Sequence, residues 1–96
     1  MDLLFHVGNA GSGRILAGLA RACARRGTRF AVFFTHDGVQ LLDAPEVRDA
    51  VAAAARAAVC EHSWQRYRGD AACPVELASQ TLNSELAGEA ARVVSL

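Results

Sequence analysis

The residue with the clearest capacity for chemistry is Cys60, which ends the apolar run RAAVC and precedes Glu61, His62 and Ser63. The run predicts a strand, and Ser63 opens a short predicted helical turn around Trp64–Tyr67. Amides at a helix N-terminus and a protonated His62 would favour the thiolate, which is the nucleophilic form of cysteine. We therefore interpret Cys60 as a nucleophile that accepts or donates sulfur, with Glu61 and His62 tuning its thiolate. The alternative is a core residue, because free cysteine is among the most buried residue types.

Two other cysteines raise different expectations. Cys73 precedes Pro74 in a predicted loop, from which it would resolve an oxidised or persulfidated Cys60 if the loop brought the two thiols together. Cys23 lies on the apolar face of a predicted helix, where we expect a chemically silent core residue. An odd number of cysteines without an export signal argues against a disulfide framework.

Short polar segments follow the other predicted strands. Asn9 follows the first strand, and His36 and Asp37 follow the second. His36 has the chemistry of an acid or base with Asp37 as its orienting partner, although HDG is also typical of a turn. We predict that these residues, with Glu61 and Ser63, bind the substrate. We predict no metal site, because the histidines and cysteines lack CxxC or HxxxH spacing.

The segment GNAGSG, residues 8–13, has the glycine spacing of a phosphate-binding loop. Arg14 and Ile15 stand where such a loop carries its lysine and its magnesium-binding hydroxyl. The segment therefore predicts a strand-to-helix turn capped by Ser12, with at most a weak anion contact at the helix N-terminus. We expect no cofactor.

Hydrophobic patterning predicts an α/β fold. Apolar runs without alternation indicate strands covered on both faces, whereas apolar residues spaced three and four apart indicate amphipathic helices. Four strands are predicted at 2–8, 28–35, 56–62 and 91–96, with helices at 12–26, about 43–55 and about 76–87. This order predicts a single domain, residues 1–96, forming a three-layer α/β/α sandwich around a mostly parallel four-stranded sheet. Ligands of such sheets bind at the carboxyl ends of the strands.

Composition narrows the classes of partner. Ten arginines and no lysine balance ten acidic residues, so the net charge of zero does not favour nucleic acid. No apolar run is long enough for a membrane span, and Asp2 stands where a secretory signal carries positive charge. We therefore expect a cytoplasmic protein. We also expect a homo-oligomer, because so small a sheet has edges that natural proteins usually cover.

Four features together resemble the DsrE/DsrF-like family over essentially the whole chain. These are the first strand ending in glycine, FFTHDGV after the second strand, VCEHSW around Cys60, and the terminal ARVVSL. The resemblance implies a small oligomeric α/β protein and, as in several members, a sulfur carrier that holds a persulfide on the cysteine after the third strand. That residue is Cys60 here, and a partner protein would take the sulfur onward. Other members lack the cysteine, and the short chain, its first loop and CPVELASQT depart from the pattern.

Two hypotheses remain open at the level of sequence, and they leave open whether the protein is an enzyme. One is a sulfur-relay protein that uses Cys60. The other is a non-catalytic module of the same fold, in which Asn9, His36, Asp37 and Cys60 line a small-ligand pocket or a subunit interface.

Overall fold

Five strands form one entirely parallel sheet in the computed structural model, which describes residues 1–96. The strands are β1 (Leu3–Val7), β2 (Phe30–Phe34), β3 (Arg56–Cys60), β4 (Glu76–Ala78) and β5 (Arg92–Ser95), in the order β4-β3-β2-β1-β5. The predicted α/β class and parallel sheet are confirmed, but the predicted count of four strands is wrong. The additional strand is β4, which pairs with β3 where the sequence predicted the start of a helix.

Four α-helices and two 3₁₀ helices connect the strands. The α-helices are α1 (Gly13–Arg26), α2 (Pro45–Val51), α3 (Glu61–Arg68) and α4 (Gln80–Glu89), and the 3₁₀ helices span Ala10–Ser12 and His36–Asp43. Helix α2 is shorter than predicted, because residues 52–55 form turns and bends instead of continuing the helix. Glu61 and His62, predicted as the end of the third strand, instead begin α3. No helix combines the length and the apolar character needed to cross a bilayer.

The buried apolar residues form two clusters. The larger contains 16 residues and joins α1, α2 and Trp64 of α3 to side chains of β1, β2 and β3. The smaller contains seven residues and joins Leu82 and Leu86 of α4 to Leu4, Phe33 and other strand residues, including Cys60. Every residue of β2 is buried, as its continuous hydrophobicity predicts for a strand covered on both faces.

The segment after β2 lies unusually close to the end of β1. A Cβ atom added to Gly38 would lie 2.5 Å from the carbonyl oxygen of Val7, so only glycine fits there without a shift of the backbone. Two residues earlier, His36 has a φ of +50°, a left-handed conformation that is uncommon for a residue with a side chain. This close approach fixes the start of the 3₁₀ helix against the carboxyl edge of the sheet.

Candidate functional site

Cys60 lies at the junction between the sheet and α3. It is the last residue of β3 and the N-cap of α3, with extended backbone angles of φ −60° and ψ 117°. The residue is 6% exposed and belongs to the smaller core cluster, yet it also contributes to the wall of a cavity of about 300 Å³. The two interpretations of Cys60, a core residue and a residue facing a site, therefore apply together.

The cavity lies where β2, β3 and β4 end and where α3 and α4 begin. Thr35 and His36 follow β2, Cys60 ends β3, and Gln80 begins α4 after β4. The eight lining residues are Thr35, His36, Cys60, His62, Ser63, Arg66, Tyr67 and Gln80. This position agrees with the general location of ligand sites beyond the carboxyl ends of parallel strands.

A hydrogen-bonded chain of hydroxyl groups forms the floor of the cavity. The side-chain amide of Gln80 donates to Thr35 Oγ1 at 3.3 Å, and the backbone N–H of His36 donates to Ser63 Oγ at 2.9 Å. The Thr35 and Ser63 hydroxyl oxygens are 3.4 Å apart, and both residues are buried. Because Thr35 and Ser63 each already accept a hydrogen bond, the Thr35 hydroxyl can donate to Ser63 while the Ser63 hydroxyl donates elsewhere.

The pKa of the Cys60 thiol is lowered in this environment. Burial alone would raise the pKa of the Cys60 thiol, but donors around the sulfur outweigh it. The Ser63 hydroxyl and backbone N–H, the Gln80 amide and the backbone N–H of His62 together hold the pKa of Cys60 below its ordinary value of 9.0. Hydrogen bonds to the charged form of a thiol stabilise the thiolate, which is the reactive form.

Gln80 lines the cavity but is not among the site residues predicted from the sequence. Its amide reaches Thr35, 45 positions away in the chain, and stabilises the Cys60 thiolate. Asn83, one turn further along α4, donates from Nδ2 to Gln80 Oε1 at 3.4 Å. This contact orients the Gln80 amide with its nitrogen toward the cavity. The only available signal in the sequence is polarity at the start of a helix, which capping also explains.

Two histidines approach each other near the site. The ring of His6 stacks on Phe33, with centroids 6.3 Å apart and an angle of 14° between the planes. Burial lowers the pKa of His6 below 6.5, and the charge of His36 lowers it further. The His6 ring is therefore harder to protonate than a free imidazole, and His36 contributes to the cavity wall.

Several residues predicted for the site do not line this cavity. Asn9 is exposed, and its Oδ1 accepts the backbone N–H of Gly11 at 2.7 Å. Asp37 and Glu61 adjoin lining residues in the chain, but neither contributes to the wall. Cys73 packs against the larger core cluster, and burial raises the pKa of its thiol. The arrangement therefore brings His36, His62 and Ser63 to Cys60, and not Asn9, Asp37, Glu61 or Cys73.

The glycine segment is a turn with a cap different from the predicted one. Ser12 is the N-cap of α1 but makes no side-chain capping hydrogen bond, and Asn9 instead caps the 3₁₀ helix that precedes α1. Glycines 8, 11 and 13 line none of the four cavities of the molecule.

No group of three or more histidine, cysteine, aspartate or glutamate side chains is arranged to hold a metal ion. Comparisons of the chain with models of known families, with curated proteins and with solved structures found no match. The site itself therefore carries the functional argument.

Proposed function

We propose that this protein is a sulfur-relay protein that carries a persulfide on Cys60. The observation that supports this most strongly is the set of donors around the Cys60 sulfur in a wall of the cavity. Cys60 is buried, and yet its thiolate is stabilised by the Ser63 hydroxyl, the Gln80 amide and backbone N–H groups. A purely structural cysteine needs no such donors, because a buried neutral thiol packs as a small apolar group.

The transfer proceeds by exchange at sulfur. The Cys60 thiolate attacks the outer sulfur of a donor persulfide, the S–S bond of the donor breaks, and the donor departs as its thiolate. Cys60 then carries the outer sulfur as a persulfide. In the onward step an acceptor thiolate attacks that sulfur and Cys60 leaves as a thiolate, so no oxidant or reductant is consumed. The lowered pKa of Cys60 favours its departure, because a thiol of lower pKa is the better leaving group.

Cys60 acts alone in this scheme. Cys73 packs with the larger core cluster and Cys60 belongs to the smaller one. Burial raises the pKa of the Cys73 thiol, which disfavours the thiolate that a resolving step requires. A partner protein therefore supplies the acceptor thiol, and a reducing compartment such as the cytoplasm keeps the three cysteines free.

We also propose that the fold is a three-layer α/β/α sandwich and that the protein forms a homo-oligomer. Division of the core into one cluster with α1 and α2 and another with α4 supports a three-layer α/β/α sandwich. The edge strands β4 and β5 expose Leu77 and Val93, which supports a homo-oligomer that covers them. Both features agree with what the resemblance to the DsrE/DsrF-like proteins implies, a small oligomeric α/β protein.

Intact-mass spectrometry after incubation with a low-molecular-weight persulfide tests the function. We expect the mass to increase by one sulfur atom, and we expect Cys60→Ser to abolish the increase. Cys73→Ser is the matched control and should retain it. An unchanged mass of the wild-type protein would exclude the carrier function.

The second candidate function is a small-ligand-binding module that uses the same cavity without chemistry at sulfur. The cavity volume of about 300 Å³ favours it, because this volume suits a small molecule. A native ligand that co-purifies with both the wild-type protein and Cys60→Ser would support this function over sulfur transfer.

A further inference from the structure

We propose that the sulfur donor is a small S-sulfonate of the thiosulfate type, whose oxyanion group is bound by Arg66 while its sulfane sulfur meets Cys60. This inference rests on the proposed function, because it names the class of donor for the same site. It draws on the charge, the size and the unpaired arginine of the cavity.

The wall of the cavity contains an arginine, two histidines and other hydrogen-bond donors, and no acidic residue. Arg66, His36 and His62 contribute three of its eight residues, and neither aspartate nor glutamate is among them. The backbone N–H groups at the start of α3 add partial positive charge at the same end. Clefts lined by one sign of charge raise the local concentration of ligands of the opposite sign.

Arg66 is one of seven arginines that form no ion pair, and among them it alone lines this cavity. Arg21, Arg56 and Arg68 each form an ion pair with a carboxylate of another element. Arg66 forms none, and its guanidinium carbon lies 5.5 Å from the centroid of the Tyr67 ring, which also lines the cavity. The aromatic face holds the guanidinium at the wall and leaves its N–H groups available. A guanidinium fork binds an oxyanion through two parallel hydrogen bonds.

The volume of the cavity selects a small donor. At about 300 Å³ it lies at the lower end of ligand pockets, which span about 300–1,000 Å³. A sulfonate with one sulfane sulfur fits this volume, and Arg66 and Cys60 both line the cavity.

The chemistry is balanced without another reactant. The Cys60 thiolate attacks the sulfane sulfur of thiosulfate, the bond between the two donor sulfurs breaks, and its electron pair leaves with sulfite. Cys60 keeps the transferred sulfur as a persulfide anion, so charge is conserved across the step. The departing group is an oxyanion, which the cationic wall can stabilise, whereas an alkyl persulfide releases a thiolate that needs no such contact.

A pair of alkylating agents tests the charge of the site independently of sulfur transfer. The rate of modification of Cys60 by anionic iodoacetate, divided by the rate with neutral iodoacetamide, is measured by peptide mass spectrometry. Arg66→Gln should lower this ratio about threefold, as expected for loss of one partly exposed charge. Arg92→Gln removes an equal charge from β5, at the opposite edge of the sheet, and should leave the ratio unchanged. An equal ratio in wild-type and Arg66→Gln proteins would overturn the inference.

A second experiment separates this inference from the proposed function. Wild-type protein is incubated with thiosulfate or with an alkyl persulfide, and both the added sulfur and released sulfite are measured. Sulfur on Cys60 with one sulfite per sulfur, both reduced in Arg66→Gln, supports the S-sulfonate donor. Sulfur acquired from the alkyl persulfide but not from thiosulfate overturns this inference and leaves the carrier function intact. Sulfur acquired from neither donor overturns both.

Discussion

Two cysteines of this protein are equally buried, yet their pKa values shift in opposite directions. Cys23 in α1 and Cys60 at the end of β3 are each 6% exposed, and each belongs to a core cluster. Burial and the charge of Asp2 raise the pKa of Cys23, whereas the pKa of Cys60 is lowered. The exposed fraction of a cysteine therefore does not reveal its reactivity.

The difference comes from what surrounds each sulfur. Cys23 lies among apolar side chains of the larger cluster, and a nearby carboxylate disfavours its thiolate. Cys60 is surrounded by donors from α3 and α4, and three of the four donor groups belong to residues 62 and 63. Fixed donors stabilise an anion inside a protein more than they would in water, because the local dielectric is low. The parallel sheet brings these donors together because β3 and β4 end at the same edge.

The largest expected effect is on stability, and it compares two glycines. One lies at the carboxyl edge of the sheet near Cys60, and the other lies in the helix that contains Cys23. Gly38→Ala should lower the free energy of unfolding by about 3 kcal/mol, because its Cβ would overlap the carbonyl oxygen of Val7. Gly18→Ala, in the same helix as Cys23, is the matched control. Nothing lies within 4 Å of the Gly18 Cβ position, so this change should raise stability by about 0.5–1 kcal/mol. Denaturant unfolding measures both, and equal effects would contradict the close approach.

The reactivity of the two cysteines provides the next test. Cys23 and Cys60 each line a cavity, but only the Cys60 thiolate is stabilised, so with iodoacetamide near neutral pH Cys60 should be modified at least about tenfold faster than Cys23. Peptide mass spectrometry measures each rate separately. In denaturant both cysteines should react at similar rates, which controls for intrinsic differences. Modification of Cys23 first in the native protein would remove the basis of the comparison.

The Ser63 hydroxyl tests whether the donors cause the difference. Ser63→Ala removes a donor to Cys60 and the acceptor of the His36 N–H, so stability should fall by about 1–2 kcal/mol and the pKa of Cys60 should rise toward 9.0. Unfolding and the pH dependence of alkylation measure these effects. Ser84→Ala, an exposed serine of α4, is the control and should change neither.

The lowered pKa of Cys60 also predicts how the effect of Ser63→Ala on stability changes with pH. The native pKa of Cys60 is below its unfolded value, so its thiolate adds stability above about pH 9, and that stability is lost as pH falls through the native pKa. The difference in stability between wild-type and Ser63→Ala proteins should therefore grow with rising pH in that window. This increase of the difference with pH should vanish when both proteins carry Cys60→Ser. If the increase persists there, a titrating group other than Cys60 causes it.

Part of this arrangement could be predicted from local sequence. The continuous hydrophobicity of β2 and the amphipathic α1, ended by Gly27, are local patterns, and both elements are confirmed. Knowing that parallel strands end at one edge was enough to place His36 and Cys60 together. The location of the candidate site thus follows from the shared direction of β2 and β3, two strands that local patterns predict.

The remainder depends on contacts between distant parts of the chain. Strand β4 has three residues, none fully buried, and its sequence continues smoothly into the pattern of α4. Only pairing with β3 makes it a strand, because strand formation depends strongly on neighbours. The contact of Gln80 with the cavity likewise has no local signal, since its hydrogen-bond partner Thr35 lies 45 positions away in the chain. The turn at Gly38 was predicted, but its contact with Val7 was not.

The smallest expected effect concerns the pKa of His6. At His6, as at Cys23, burial and a nearby charge of the same sign both disfavour the charged form of the side chain. Burial is the larger cause of the lowered pKa of His6, and the charge of His36 is the smaller one. His36→Asn should therefore raise the pKa of His6 only part of the way toward 6.5, and asparagine tolerates the left-handed backbone at this position. Titration of the His6 ring followed by NMR measures the shift.

His62→Asn is the control and should leave the pKa of His6 unchanged, because burial and His36 are the causes of its shift. Complete restoration to 6.5 by His36→Asn would mean that charge, and not burial, governs His6, and would weaken the same explanation for Cys23.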